Sequence, residues 1–118
     1  MKKIYYLKIC NTCLRIIKEL NLPSDFVLQD IKKQEVTVKQ LDEMQKLSGS
    51  YESLFSKRAK LYKEMDLKTQ TLTERNYKHY ILHHYTFLKR PVLLIDNQIF
   101  IGNSKKTVNA ARQFLNEQ

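Results

Sequence analysis

The chain has 118 residues, 42% of them hydrophobic and 28% charged, with two Gly and two Pro. That is the make-up of one folded domain, and it excludes a disordered tail, a low-complexity segment and a repeat array. Lys and Arg number 21 against 12 Asp and Glu, a net charge of +9 that favours acidic partners without naming one. The basic residues are scattered and form no helix-turn-helix, zinc-finger or RNA-binding signature, so no direct nucleic-acid binding is expected.

The first residues could suit a secretory leader, but Lys8, Cys10 and Cys13 interrupt the apolar run and no small-residue cleavage site follows. Ile9 is too bulky for the position before a lipid-attached Cys. No apolar stretch approaches the roughly 20 residues of a membrane span. The expectation is a soluble, cytoplasmic protein with no membrane partner, in a compartment where two Cys do not form a permanent bridge.

Lys3 to Leu7 reads as a short buried strand that runs into the Cys pair, after which Leu14, Ile16, Ile17 and Leu20 take helical spacing. Asn21-Leu22-Pro23-Ser24 breaks that helix. Phe26-Val27-Leu28 then supplies a second strand, reached by a crossover and so parallel to the first. Val38, Leu41, Met44 and Leu47 step by three along a helix begun by Thr37 or Glu35 and closed by Ser48-Gly49-Ser50. Short helical segments follow from Tyr51 to Met65, and Thr73-Glu74 opens a helix carrying Tyr77, Tyr80, Ile81 and His84. The whole middle region reads as helical.

After Arg90-Pro91, Val92 to Ile95 is a buried strand, Asp96-Asn97 a tight turn and Gln98 to Ile101 the returning strand. Ser104 caps a last helix with Val108, Ala111, Phe114 and Leu115 turned inward. The fold expected is α/β and thioredoxin-like, β-α-β, helical insert, β-β-α, with a mixed four-stranded sheet. It occupies a single domain, residues 1–118, with the insert at about 37–85. Such an order puts the Cys pair at the carboxyl end of the first strand, where open α/β sheets bind ligands.

Cys10 at the amino end of a helix meets unsatisfied N–H groups and the helix dipole, both of which favour a thiolate. Cys13, one turn on, lies within reach, so Cys10 is read as the nucleophile and Cys13 as the thiol that resolves a Cys10 adduct. The alternatives are two thiols packed as small hydrophobes, or half of a zinc site. His79 and His83 have the right His spacing for the other half, but 65 residues separate Cys13 from His79, where about a dozen is usual. With no Glu at position 80 they do not form the metalloprotease motif either. No metal is expected.

Cys10-Asn11-Thr12-Cys13, Ser56-Lys57-Arg58, Leu88-Lys89-Arg90-Pro91-Val92 and then Ile101-Gly102, in that order, resemble the arsenate reductase ArsC/Spx family over nearly the whole chain. The resemblance implies a thiol-dependent oxidoreductase of the arsenate reductase type. Cys10 attacks the oxyanion and Cys13 forms the resolving disulfide, while Arg58 and Arg90 converge on Cys10 and hold the anion with guanidinium forks. Asn11, Thr12 and Pro91 belong to the same substrate site, with a cis Arg90–Pro91 bond facing Cys10. The substrate implied is a small oxyanion or a thiol compound. No bound cofactor is implied, and the electron donor is a reducing thiol: glutathione, glutaredoxin or thioredoxin.

The same resemblance admits two alternatives. One is an Spx-like redox sensor that binds RNA polymerase, in which Ser48-Gly49-Ser50 lies near the glycine such regulators use for docking. The other is a glutathione-linked thiol reductase. The chain departs from arsenate reductases in its second Cys, in Tyr6 where they have a His four residues before the nucleophile, and in Asn103-Ser104 where a third Arg would stand.

Overall fold

The computed structural model describes residues 1–118. In chain order the elements are β1 (Lys2–Tyr6), α1 (Asn11–Leu20), β2 (Val27–Asp30), α2 (Val38–Ser48), α3 (Lys60–Glu64), α4 (Glu74–His83), β3 (Val92–Ile95), β4 (Gln98–Ile101) and α5 (Lys105–Asn116). Short 3-10 turns lie at Glu52–Leu54, Leu67–Thr69 and Tyr85–Phe87. Contacts divide the chain into two units, Met1–Gln34 with Arg90–Gln118, and Glu35–Lys89.

The first unit holds a mixed sheet of four strands in the order β2-β1-β3-β4. β1 is parallel to β2 and antiparallel to β3, which is antiparallel to β4. A parallel pair needs a crossover, and α1 supplies it. Period-two alternation sends Ile4, Leu93 and Ile95 to one face, where Ile16 and Leu20 of α1 and Val108 and Ala111 of α5 close a core around Phe26. Glu19 bridges α1 to Arg112 of α5 at 3.4 Å. The opposite face carries Tyr5, Val92 and Leu94, also buried. This is the mixed α/β, thioredoxin-like fold that the order of elements predicted.

Three local readings are corrected. β1 stops at Tyr6 and not Leu7, because the Cys10 N–H donates to the Leu7 carbonyl at 2.9 Å and draws Leu7 into a turn. β2 begins one residue late and runs on to Asp30, since the Phe26 N–H closes a turn on the Pro23 carbonyl (3.1 Å) and the Phe26 ring enters the core. β2 is an edge strand, and its Val27 and Leu28 stay 57% and 47% exposed. Leu14, counted on the apolar stripe of α1, is 42% exposed.

In the second unit, Thr37 and Thr73 open α2 and α4 with reciprocal caps, the hydroxyls accepting from the Gln40 and Asn76 N–H groups while those side chains accept from the cap N–H groups. Gly49 ends α2 in the left-handed region at φ 94, a conformation with no Cβ penalty only for Gly. Phe55 centres the apolar packing, stacked on Phe87 at 5.3 Å and tilted against Tyr77 at 4.9 Å. The region read as wholly helical also holds an extended clasp: Phe55 pairs with Leu88 in an antiparallel bridge, and Ser56 and Lys89 donate backbone bonds to Phe87 and Leu54 at 2.7 and 2.8 Å.

Candidate active site

Where β1 ends, the turn from Leu7 delivers Cys10 to the cap position of α1, in an extended conformation (φ −96, ψ 109). The first amides of a helix have no partner in the helix itself and point back toward the cap. Burial alone would raise the Cys10 thiol. It is outweighed by the Cys13 and Thr12 N–H groups, the Cys13 thiol and the Arg90 charge, so Cys10 titrates below its ordinary value. Cys10 is half-buried and remains open to a reactant.

Cys13 is the opposite kind of thiol. It is 0% exposed, and burial pushes it up to about 11 against the Leu7 N–H and the Arg90 charge, with the Cys10 charge and hydrogen bond adding to the rise. Both cysteines are free.

Arg90 reaches the pair from the segment before β3. It is half-buried, its Nε is sheltered from solvent, and its bond to Pro91 is cis. The Pro91 carbonyl accepts the Gly102 N–H at 2.9 Å, which fixes the backbone at the start of the β3–β4 hairpin. Cys10, Thr12, Cys13 and Arg90 are thus brought together. Asn11 is exposed as the first residue of α1, and Thr12 faces the site through its amide. Arg58 lies in the Glu35–Lys89 unit, exposed, just ahead of α3.

The Leu7 amide that faces Cys13 is not foreseeable from residue types, because a backbone group carries no side-chain identity. Tyr6 packs against the sheet core beside Ile4. Ser104, where a third Arg would stand, caps α5 by accepting from the Thr107 N–H at 3.1 Å. His79 and His83 stack on the exposed side of α4 with ring centroids 5.9 Å apart. No group of three or more His, Cys, Asp or Glu is placed to hold a metal ion, and no helix is long and apolar enough to cross a membrane.

A pair of thiols at the start of the first helix, with Arg90 acting on both from the cis Arg90–Pro91 segment that leads into β3, is carried on a thioredoxin-like fold. Among solved structures the chain is similar to an arsenate reductase from Vibrio cholerae, at 19% identity and TM-score 0.73 over 93% of this chain and 96% of that one. It is likewise similar to an arsenate reductase (ArsC) related protein from Brucella melitensis, at 21% identity and TM-score 0.69 over 92% of each chain. SACOL0876 from Staphylococcus aureus COL shares the fold at 23% identity and TM-score 0.72 over 93% and 97%. No curated protein sequence matches the chain. The ArsC family profile matches residues 5–111, and the chain belongs to the ArsC family.

Proposed function

We propose that the protein is a thiol-dependent oxidoreductase of the arsenate reductase type. The observation that carries this reading is the inequality of the two thiols: an accessible Cys10 held toward its thiolate, backed by a buried, protonated Cys13 bonded to it. Cys10 attacks the arsenic of arsenate and water leaves, with Arg90 holding the anion. Arg58 joins Arg90 in this role on the family resemblance.

Resolution follows from the same electrostatics. Part of what holds the Cys13 proton is the Cys10 thiolate, through its charge and its hydrogen bond. Bonding Cys10 to arsenic removes that charge, so Cys13 becomes more acidic at the moment its thiolate is needed. Cys13 then attacks the Cys10 sulfur, its proton passing to an arsenic-bound oxygen. The sulfur–arsenic bond breaks with its electron pair on arsenic, so arsenite departs and a Cys10–Cys13 disulfide remains. A reducing thiol restores the pair.

Reduced protein mixed anaerobically with arsenate tests the scheme. One arsenite per disulfide is expected, with Cys10→Ser inactive and Cys13→Ser stalled at the adduct until external thiol is added. If arsenate neither yields arsenite nor shields Cys10 from alkylation, the oxyanion chemistry is wrong, and a disulfide that forms only with oxidants returns the pair to a redox switch.

A further inference from the structure

We infer that β2 is a self-docking edge: two copies of the chain pair β2 against β2, antiparallel about a two-fold axis at Leu28, so that two sheets of four strands become one of eight. An edge strand presents backbone groups that have no neighbour, and most edges are protected by Lys, Pro, a bulge or a covering segment. β2 has neither Lys nor Pro along Val27-Leu28-Gln29-Asp30, and its register on β1 is unbroken. Its apolar side chains stand open to solvent, Val27 at 57% and Leu28 at 47%. The other edge of the sheet, β4, keeps Ile99, Phe100 and Ile101 half-buried.

The backbone bonds fix which groups face outward. The Ile31 N–H donates to the Tyr6 carbonyl at 2.9 Å. Alternate residues of a strand turn their backbone groups to opposite edges, so Val27 and Gln29 share the β1 side with Ile31, while Leu28 and Asp30 face away. The Asp30 carbonyl accepts the Lys33 and Gln34 N–H groups, at 3.1 and 2.8 Å, and the chain turns off there. The outward edge therefore offers the Leu28 N–H, the Leu28 carbonyl and the Asp30 N–H. Residues opposite each other in an antiparallel pair can exchange both backbone bonds. A two-fold axis at Leu28 gives each Leu28 that exchange with Leu28 of the second copy, and it sets each Asp30 N–H opposite Phe26 of the other chain.

The side chains suit the same axis. It brings the two exposed Leu28 side chains against each other on one face of the joined sheet. It also sets Asp25, exposed ahead of the strand and held by Lys2 at 3.2 Å, across from Ile31 and beside the exposed Lys32 of the second copy. The pairing of unlike charges repeats on the other side of the axis, as a self-complementary interface requires. With four strand residues a side, the contact is short, and the dimer is a weak, exchanging one.

Sedimentation of the reduced full chain tests the pairing, over about 10 µM to about 1 mM, and a shift from monomer to dimer is expected within that range. Leu28→Lys puts like charges across the axis and is expected to raise the dissociation constant at least about tenfold. Asp25→Lys and Lys32→Asp should each weaken the dimer, and the two together should restore it, because the swap keeps unlike charges opposed. That cycle decides the matter if Leu28→Lys does not fold by circular dichroism. Amide hydrogen exchange gives a second readout: the Leu28 N–H should slow as concentration rises, while the Gln29 N–H, turned to β1, should not change. A chain that stays monomeric at about 1 mM overturns the inference. So does a dimer that neither Leu28→Lys nor the charge cycle alters, a Leu28 amide indifferent to concentration, or an assembly that grows past two copies.

Discussion

Alkylation of the reduced protein with iodoacetamide, peptide by peptide across pH 6–10, reads the asymmetry of the thiols directly. A thiol at about 11 is ionised in about one molecule in a thousand at pH 8. A thiol at the ordinary 9.0 is ionised in about one in ten, and Cys10 lies on the more ionised side of that mark. The thiolate populations therefore differ by at least about a hundredfold in favour of Cys10. Nucleophilicity falls with pKa at a slope of about 0.4–0.5 per unit, which returns about tenfold to Cys13 and leaves Cys10 at least about tenfold faster near pH 8. The complete burial of Cys13 widens this. Arg90→Ala should move the Cys10 midpoint upward, since it removes a cation that favours the thiolate. Comparable labelling of the two cysteines at pH 8, or a Cys10 midpoint indifferent to Arg90, would refute the electrostatic argument.

Ile16→Ala empties a position 1% exposed between α1 and the sheet, and a loss of about 2–5 kcal/mol is expected from urea melts. Gly49→Ala meets no atom within 4 Å; its cost of about 1–2 kcal/mol is backbone conformation alone, so Gly49→Asn should recover part of it in thermal melts. Asp42 accepts from the Tyr51 hydroxyl at 2.6 Å and pairs with Lys78 at 2.9 Å, and its carboxyl is held below the ordinary 3.8, chiefly by the Tyr51 bond and then by Lys78. A depressed folded value stabilises the fold above the unfolded value and loses that contribution as pH falls through the folded one. The Tm gap between wild type and Asp42→Asn should thus be full at neutral pH and close below about 3.8; a gap that survives at pH 2 would show that charge is not its source.

Elements whose residues report both face and period were legible from the sequence. β3 and β4 fell where the Val92–Ile95 and Gln98–Ile101 runs and the Asp96-Asn97 turn put them, and Asp96 adopts the left-handed conformation at φ 53 that such a turn uses. Gly49, Thr73 and Ser104 cap the helices they were read to cap, and of the two starts left open for α2 it is Thr37, not Glu35, that caps. The presence of β2 and its parallel pairing were legible but its bounds were not, because the strand runs on through polar residues: Val27 and Leu28 face solvent while Gln29, 2% exposed, points inward and donates to the Gln34 carbonyl at 2.9 Å. At the site, Cys10 and Cys13 were legible from spacing and their place after a strand. The thiolate character of Cys10 was legible too, from the free amides of a helix start and, through the family resemblance, from Arg90; the complete burial that raises Cys13 and the Leu7 amide that opposes the rise were not, because neither is written in a side-chain identity.

The register of β1 on β3 has a consequence for how the protein is made. Lys2 pairs with Ile95 and Tyr5 with Val92, so the central ladder joins residues up to 93 positions apart. β1, α1 and β2 are complete once Asp30 has been synthesised, yet at about 5–20 residues per second β1 then waits about 3–13 s for its second neighbour. During that interval a strand bearing Ile4 and Tyr5 offers an open row of hydrogen-bonding groups to any other nascent chain. Lys2 and Lys3 at its start and Lys8 just beyond its end put like charges on copies that would otherwise pair there, protecting an edge that the finished sheet no longer has.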